Sequence, residues 1–130
     1  MATVRRQFEV AAPPEKVWDV FADTGSVHTR LAPGFVVDTV VDGDTRKVSF
    51  ANGVVVSERI VSLDDDARRL AYAIVGGSAE HHNASFEVRE AVDGSLVCWT
   101  TDVLPDSVAD NFARMMDAGI PVMQESLADR

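Results

Sequence analysis

The sequence predicts an α+β fold in which a curved antiparallel sheet of seven strands wraps around one long C-terminal helix. Short segments of alternating polarity, separated by turn-forming residues, fill residues 35–103. The last quarter of the chain repeats apolar residues at spacings of three and four, which is typical of an amphipathic helix. A stripe of this length needs a long apolar partner, and the preceding strands are the candidate for it.

The first elements are a strand and two short helices. Residues 4–10 alternate in polarity and predict strand one. Pro13 and Pro14 end this strand, and proline at a first helical position favours a helix start. An apolar face at helical spacing follows and ends before residues 23–25. A second short helix is predicted over residues 26–31.

Six further strands are predicted, each bounded by a turn signal. Asn52-Gly53 is the strongest hairpin signal in the chain. Because the connections are short, neighbouring strands should be antiparallel. The strands are predicted at residues 35–41, 46–51, 54–63, 70–75, 80–90 and 96–103.

The long helix is predicted to begin near Pro105 and to run for about 22 residues, or roughly 33 Å. Pro121 lies inside it and removes one backbone hydrogen bond. We expect the segment Gly119-Ile120-Pro121 to be where the helix flexes or admits a ligand. The apolar stripe consists of Val108, Phe112, Met115, Met116, Gly119, Ile120, Met123 and Leu127.

Composition limits the function classes. The 130 residues predict a single domain, 1–130, and an apolar fraction of 46% argues against disorder. A formal net charge of −9 disfavours nucleic acid or an anionic membrane surface as a partner. The absence of a long apolar run predicts no membrane insertion. The single cysteine, Cys98, excludes an internal disulfide, and together with the lack of a visible signal peptide it predicts a cytoplasmic protein.

Three segments carry a family resemblance. They are PPEKVWDVFAD after the first strand, ERIVSLDDDARRLAYAI over residues 58–74, and Trp99 on the last strand. With the order of elements, they resemble the SRPBCC superfamily over essentially the whole chain. This helix-grip group includes START-type lipid-transfer domains, pollen-allergen-like proteins and polyketide cyclases. The resemblance implies the helix-grip fold with a cavity between sheet and helix, but it does not name a reaction. The alternative cone-shaped α+β architecture, in which the sheet comes last, is disfavoured by the terminal helix.

Strand alternation predicts which residues face the helix. The fourth strand is ambiguous, because Val55, Val61 and Leu63 hold the opposite parity. We choose the parity that keeps Arg59 in solvent. The predicted inner residues are Phe35, Val37, Thr39, Val41, Val48, Phe50, Val54, Val56, Glu58, Ile60, Leu70, Tyr72, Ile74, His82, Ala84, Phe86, Val88, Val97, Trp99, Thr101 and Val103.

Three of these inner residues, Glu58, Tyr72 and His82, carry groups that can exchange protons. The turn positions predict that Tyr72 lies opposite both Ile60 and His82, and that Glu58 lies opposite Ile74, diagonal to Tyr72. His82 is expected to titrate near neutrality. The three groups are therefore either acid–base residues or a network that satisfies its own hydrogen bonds.

Three functions remain open from the sequence. The first is binding of a small, largely hydrophobic molecule such as a lipid or polyketide, and the second is a cofactor-independent cyclase or dehydratase that uses Glu58, Tyr72 and His82. The third is a protein-interaction domain or homodimer that uses the convex sheet face. No ligand spacing for a metal and no cofactor fingerprint is present, so neither is expected. The predicted ligand-binding residues are Trp18, Arg30, Leu31, Phe35, Phe50, Glu58, Tyr72, His82, Phe86, Trp99, Phe112, Met116, Ile120 and Met123.

Overall fold

The computed structural model describes residues 2–128 and confirms the helix-grip fold. Seven antiparallel strands form one open sheet in the order β1-β7-β6-β5-β4-β3-β2. The chain therefore meanders from β2 to β7, and β1 joins the sheet beside the last strand. The elements are β1 Ala2–Val10, α1 Pro14–Ala22, a π-helical turn Val27–Leu31 (the π turn), β2 Val36–Asp42, β3 Thr45–Phe50, β4 Val55–Asp64, β5 Arg69–Val75, β6 His81–Ala91, β7 Gly94–Leu104, a 3-10 turn Asp106–Val108 and α2 Ala109–Leu127.

A close backbone approach at Gly94 joins β7 to the end of β1. Gly94 has φ +154, and a Cβ atom there would lie 2.2 Å from the carbonyl oxygen of Val10. Next to it, the buried hydroxyl of Ser95 donates to the carbonyl oxygen of Ala12 over 2.6 Å. Glycine is required here because no side chain fits, and the contact fixes where the chain leaves β1 for α1.

The long helix α2 packs on β1, the π turn and β7. The Arg6 guanidinium of β1 pairs with Asp117 at 2.6 Å, and the Gln124 side-chain amide donates to the carbonyl oxygen of Glu9 over 3.0 Å. The side of α2 that faces the core carries the buried residues Met116, Met123 and Leu127. None of the helices in residues 2–128 is long and apolar enough to cross a membrane. The helix therefore covers mainly the part of the concave face formed by β1 and β7.

The predicted inner face is largely confirmed, with two corrections on β2 and β4. A bulge places Val37 outside the pairing between Val36 and Asp38, so that Val36 faces inward and Val37 is 55% exposed. Val54 lies in the turn before β4 and is exposed. The prediction that Val37 and Val54 face the core is wrong, because a bulge and a strand start both interrupt the alternation.

A second bulge, in β4 between Ile60 and Ser62, reverses the parity beyond Val61. Leu63 then pairs with the buried Leu70, although it stays largely exposed at the end of the strand. The chosen parity is correct for Val56, Glu58 and Ile60, and Val55 and Arg59 lie on the outer face.

Candidate functional site

A strip of polar side chains crosses the concave face on β2 to β5. We call Thr39, Arg46, Glu58 and Tyr72 the polar strip. Arg46 lies directly opposite Glu58 in the β3–β4 ladder, and their side chains are only 5% and 10% exposed. The Nε of Arg46 donates to Oε1 of Glu58 over 2.8 Å. This is a desolvated, charge-assisted hydrogen bond between cross-strand neighbours.

Arg46 is the site residue that the sequence reasoning missed. Its parity matches that of Val48 and Phe50, so strand alternation could have placed it on the inner face. Its Nη1 also donates to the carbonyl oxygen of Thr24 over 3.2 Å, and its Cζ lies 5.7 Å from the centre of the Tyr72 ring. The guanidinium thus ties β3 to the loop after α1 and makes a cation–π contact within the strip.

Tyr72 is buried beside the ion pair, and its hydroxyl accepts a hydrogen bond from Nε1 of Trp99 over 3.1 Å. Burial raises the pKa of Tyr72, and the negative charge of Glu58 raises it further. The predicted register of Ile60 opposite Tyr72 and of Glu58 opposite Ile74 is confirmed. Tyr72 is therefore a neutral phenol at physiological pH.

His82 does not lie directly opposite Tyr72, the position that the sequence predicted for it. Tyr72 pairs with Ala84, and His82 is diagonal to it with the ring centres 5.8 Å apart. The prediction that Tyr72 and His82 are directly opposed is therefore wrong. The Nδ1 of His82 accepts a hydrogen bond from the backbone N–H of Ile74 over 2.9 Å, so the side chain replaces a bond of the β5–β6 ladder.

The expectation that His82 titrates near neutrality is also wrong. Burial lowers the pKa of His82 to about 4, and the charge of His81 lowers it as well. The His82 ring packs on Phe112 of α2 with the ring centres 5.2 Å apart. His82 is therefore a neutral, packed imidazole at pH 7, and its Nδ1 acts as an acceptor.

The three predicted acid–base residues lie near one another, but each has another partner. Glu58 is bonded to Arg46, Tyr72 to Trp99 and His82 to the backbone of Ile74. No hydrogen bond joins the three to one another within residues 2–128. Each of these three buried groups thus has a partner, but the alternative prediction, a network in which the three bond one another, is wrong for residues 2–128.

Aromatic rings fill the concave face next to the polar strip. Phe86 stacks on Trp99 with ring centres 4.5 Å apart and lies 4.7 Å from Phe21 of α1. The Nε1 of Trp18 donates to Asp65 over 2.9 Å, which fastens α1 to the turn after β4. Predicted ligand-binding residues that are buried in this core are Trp18, Leu31, Glu58, Tyr72, His82, Phe86, Trp99, Met116 and Met123.

Several apolar residues of the concave face remain partly exposed on β3 to β5, just before β2 and on α2. We call Phe35, Phe50, Val56, Ile74 and Ile120 the open rim. The Phe35 and Phe50 rings meet edge to face with centres 5.5 Å apart, and a Cβ on Gly119 would lie 3.1 Å from the Phe35 ring. In β6 and β7, by contrast, the inner residues are buried from His82 to Val88 and from Ser95 to Val103. The rim is open because α2 packs on the β1–β7 side of the sheet.

Arg30 lies away from the polar strip and the open rim. Its side chain is 40% exposed and forms ion pairs with Asp19 at 2.9 Å and Asp23 at 3.0 Å. It lines a surface groove of ≈ 440 Å³ between α1, the π turn and the end of α2, and Ser126 donates to its carbonyl oxygen. Within residues 2–128 no group of three His, Cys, Asp or Glu side chains could hold a metal ion.

A family model described as polyketide cyclase / dehydrase and lipid transport matches residues 1–129. The chain belongs to this family. No curated protein matches the chain.

Solved structures agree with this membership of the polyketide cyclase / dehydrase and lipid transport family. A protein from Thermobifida fusca is 30% identical, with a TM-score of 0.80 and coverage of 100% of this chain and 93% of that one. An uncharacterised Bacillus thuringiensis protein is 20% identical, with a TM-score of 0.85 over 98% and 100% of the two chains. Norcoclaurine synthase from Thalictrum flavum, in complex with dopamine and hydroxybenzaldehyde, is 16% identical, with a TM-score of 0.71 over 97% and 83%. The more distant likenesses establish the shared fold.

Proposed function

We propose that this protein binds a small, largely apolar molecule that enters at the open rim and lies against the polar strip. The observation that carries the proposal is the rim itself. Phe50, Val56 and Ile74 face inward by register, Phe35 contacts Phe50, and Ile120 packs against the core, yet all five are partly exposed. Apolar side chains that converge in a concavity are the usual lining of a small-molecule site.

Two comparisons support the same proposal. The family description includes lipid transport. Norcoclaurine synthase, which shares the fold, has been crystallised with two small aromatic molecules. A single unbonded cysteine, Cys98, is compatible with the cytoplasmic location that we propose for this protein.

The acid–base alternative has little support in the geometry. A proton-transfer group needs a pKa near the working pH and a free path to the substrate. The Glu58 carboxylate is bonded to Arg46, and the pKa of His82 is about 4. We therefore propose ligand binding as the function, and we assign no catalytic role to any residue.

The convex-face alternative rests on exposed valines. Val40, Val55 and Val75 are each about half exposed on the outer face, at 53%, 51% and 52%. In the ladder, however, Lys47 and Ser57 lie between Val40 and Val75. A patch that polar residues interrupt is a weak docking surface, so self-association is not the function we favour.

Two adjacent residues of β4 give a matched test of ligand binding. Val56 belongs to the open rim, whereas Val55 is exposed on the outer face. We expect the neutral fluorescent probe 1-aminoanthracene to bind the wild-type protein. Val56→Asp should weaken this binding by at least about tenfold, because a carboxylate in the rim must lose water when the probe binds. Val55→Asp should leave the affinity unchanged.

Circular dichroism of both variants checks that each is folded. The proposal fails if the probe does not bind the wild-type protein. It also fails if folded Val55→Asp and Val56→Asp bind the probe equally well, since binding would then lie elsewhere than the concave face.

A further inference from the structure

The hydroxyl of Thr39 is a buried polar group without a partner. Thr39 is 8% exposed, and its Oγ1 has no hydrogen-bond partner in the described part of the chain. Thr39 lies directly opposite the buried Val48, so its side chain points to the concave side. A buried hydroxyl left unpaired costs free energy, and such a group requires an explanation.

Thr39 is also next to the ion pair of the polar strip. Arg46 pairs with Val41, two residues beyond Thr39 on the same face of β2, so Thr39 and Arg46 are diagonal neighbours. Diagonal neighbours have Cβ atoms roughly 7 Å apart. A hydroxyl or carbonyl oxygen bound between them would meet a hydroxyl on one side and a guanidinium on the other.

The two charges of the polar strip cancel each other. Arg46 is positive, Glu58 is negative, and the two are bonded to each other. Tyr72 and His82 are neutral at pH 7. A carboxylate placed here would add a buried charge with no counter-charge, and it would lie close to Glu58. An uncharged polar group has no such penalty.

We propose that Thr39 and Arg46 form a subsite for the uncharged hydroxyl or carbonyl group of an otherwise apolar ligand. This inference rests on the proposed function. It adds that the site prefers alcohols, phenols or ketones over carboxylic acids of the same shape. The apolar body of the ligand would then extend from the polar strip towards Phe50 and Val56 at the open rim.

Three probes that share one ring system test the subsite: 2-naphthol, 2-naphthoate and naphthalene, titrated at pH 7 into the isotopically labelled protein and followed by NMR. We expect the wild-type protein to bind 2-naphthol about fivefold to tenfold more tightly than naphthalene, as one hydrogen bond allows, and to bind 2-naphthoate most weakly. Thr39→Val should remove the preference for 2-naphthol and leave the affinity for naphthalene unchanged. Thr39→Ser, which keeps the hydroxyl, should retain the preference.

The outcomes separate this subsite from the proposed function. If none of the probes binds the wild-type protein at the concave face, the proposed function and the subsite both fail. If all three bind equally, or if Thr39→Val keeps the preference for 2-naphthol, the subsite alone is refuted.

Thermal unfolding without ligand gives an independent check. Thr39→Val has nearly the same shape and removes an unpaired hydroxyl, so the melting temperature should rise. A lower melting temperature would mean that the hydroxyl is already bonded in the free protein, and this would overturn the inference.

Discussion

The ion pair between Arg46 and Glu58 is the feature whose perturbation we can predict most closely. Arg46→Met leaves the Glu58 carboxylate in a site where its side chain is 10% exposed, and it removes the 2.8 Å hydrogen bond. Breaking a buried pair from one side costs about 3–5 kcal/mol, because the remaining charge has lost both water and partner. The bond from Arg46 to the Thr24 carbonyl is lost as well. We therefore expect the free energy of unfolding to fall by about 4 kcal/mol.

The assay is urea unfolding at pH 7 of the wild-type protein, Arg46→Met, Glu58→Leu and the double variant. The double variant should be more stable than either single one, since two apolar side chains replace the pair without an orphaned charge. The exposed pair Arg6–Asp117 provides a matched control, because its side chains are 35% and 55% exposed. The coupling free energy between Arg6 and Asp117 should be much smaller and should decrease with added salt. The coupling free energy between Arg46 and Glu58 should not depend on salt, because that pair is buried. Additive effects of Arg46→Met and Glu58→Leu would refute the reasoning.

Three further predictions concern pH, a side-chain bond and a close backbone approach. The pKa of His82 is about 4 in the folded protein against 6.5 for an ordinary histidine, so the unfolded chain binds more protons between these values. Stability should therefore fall as pH decreases from about 6.5 to 4, and urea midpoints of His82→Gln should lose this part of the slope. Trp18→Phe removes the 2.9 Å bond to Asp65 and should cost about 1 kcal/mol in thermal unfolding, with no further loss when Asp65→Ala is added. Gly94→Ala should prevent folding, as judged by circular dichroism, because its Cβ would lie 2.2 Å from the carbonyl oxygen of Val10, whereas a folded variant with wild-type stability would contradict the described contact.

Alternation along the strands predicted most of the concave face, because each strand buries one side chain in two. The same alternation places Arg46 on the inner face with Val48 and Phe50, but the prediction left Arg46 out. A charged residue near a strand start is usually solvated. Here the carboxylate of Glu58 compensates the charge, and a pattern of polarity within one strand does not contain that partner.

The two bulges could not be predicted from the sequence either, because they also depend on a neighbouring strand. The bulges at Val37 and Val61 each insert one residue into a run of apolar side chains, so both parities look equally hydrophobic. Only the pairing with the neighbouring strand decides which parity holds.

The position of His82 depended on the length of the β5–β6 connection. Placing the turn centre at Gly77 predicted the wrong partner, because Tyr72 pairs with Ala84 rather than with His82. The ladder stops early, and His82 instead bonds the backbone of Ile74 through its ring. A local sequence does not reveal that a side chain will replace a backbone acceptor, so the predicted pairing of His82 was wrong.

The place of β1 in the sheet has a consequence for the order of folding. Strands β2 to β7 pair with their neighbours in sequence, so each hairpin can close over a short loop as soon as its second strand is present. Strand β1 pairs only with β7, and Ala2 lies opposite Val103, about a hundred residues away. Closing so long a loop carries the largest entropic cost of any strand pairing in the sheet. We therefore expect β1 to be the last of the seven strands to pair, and the contacts of α2 with β1 to form no earlier than that pairing.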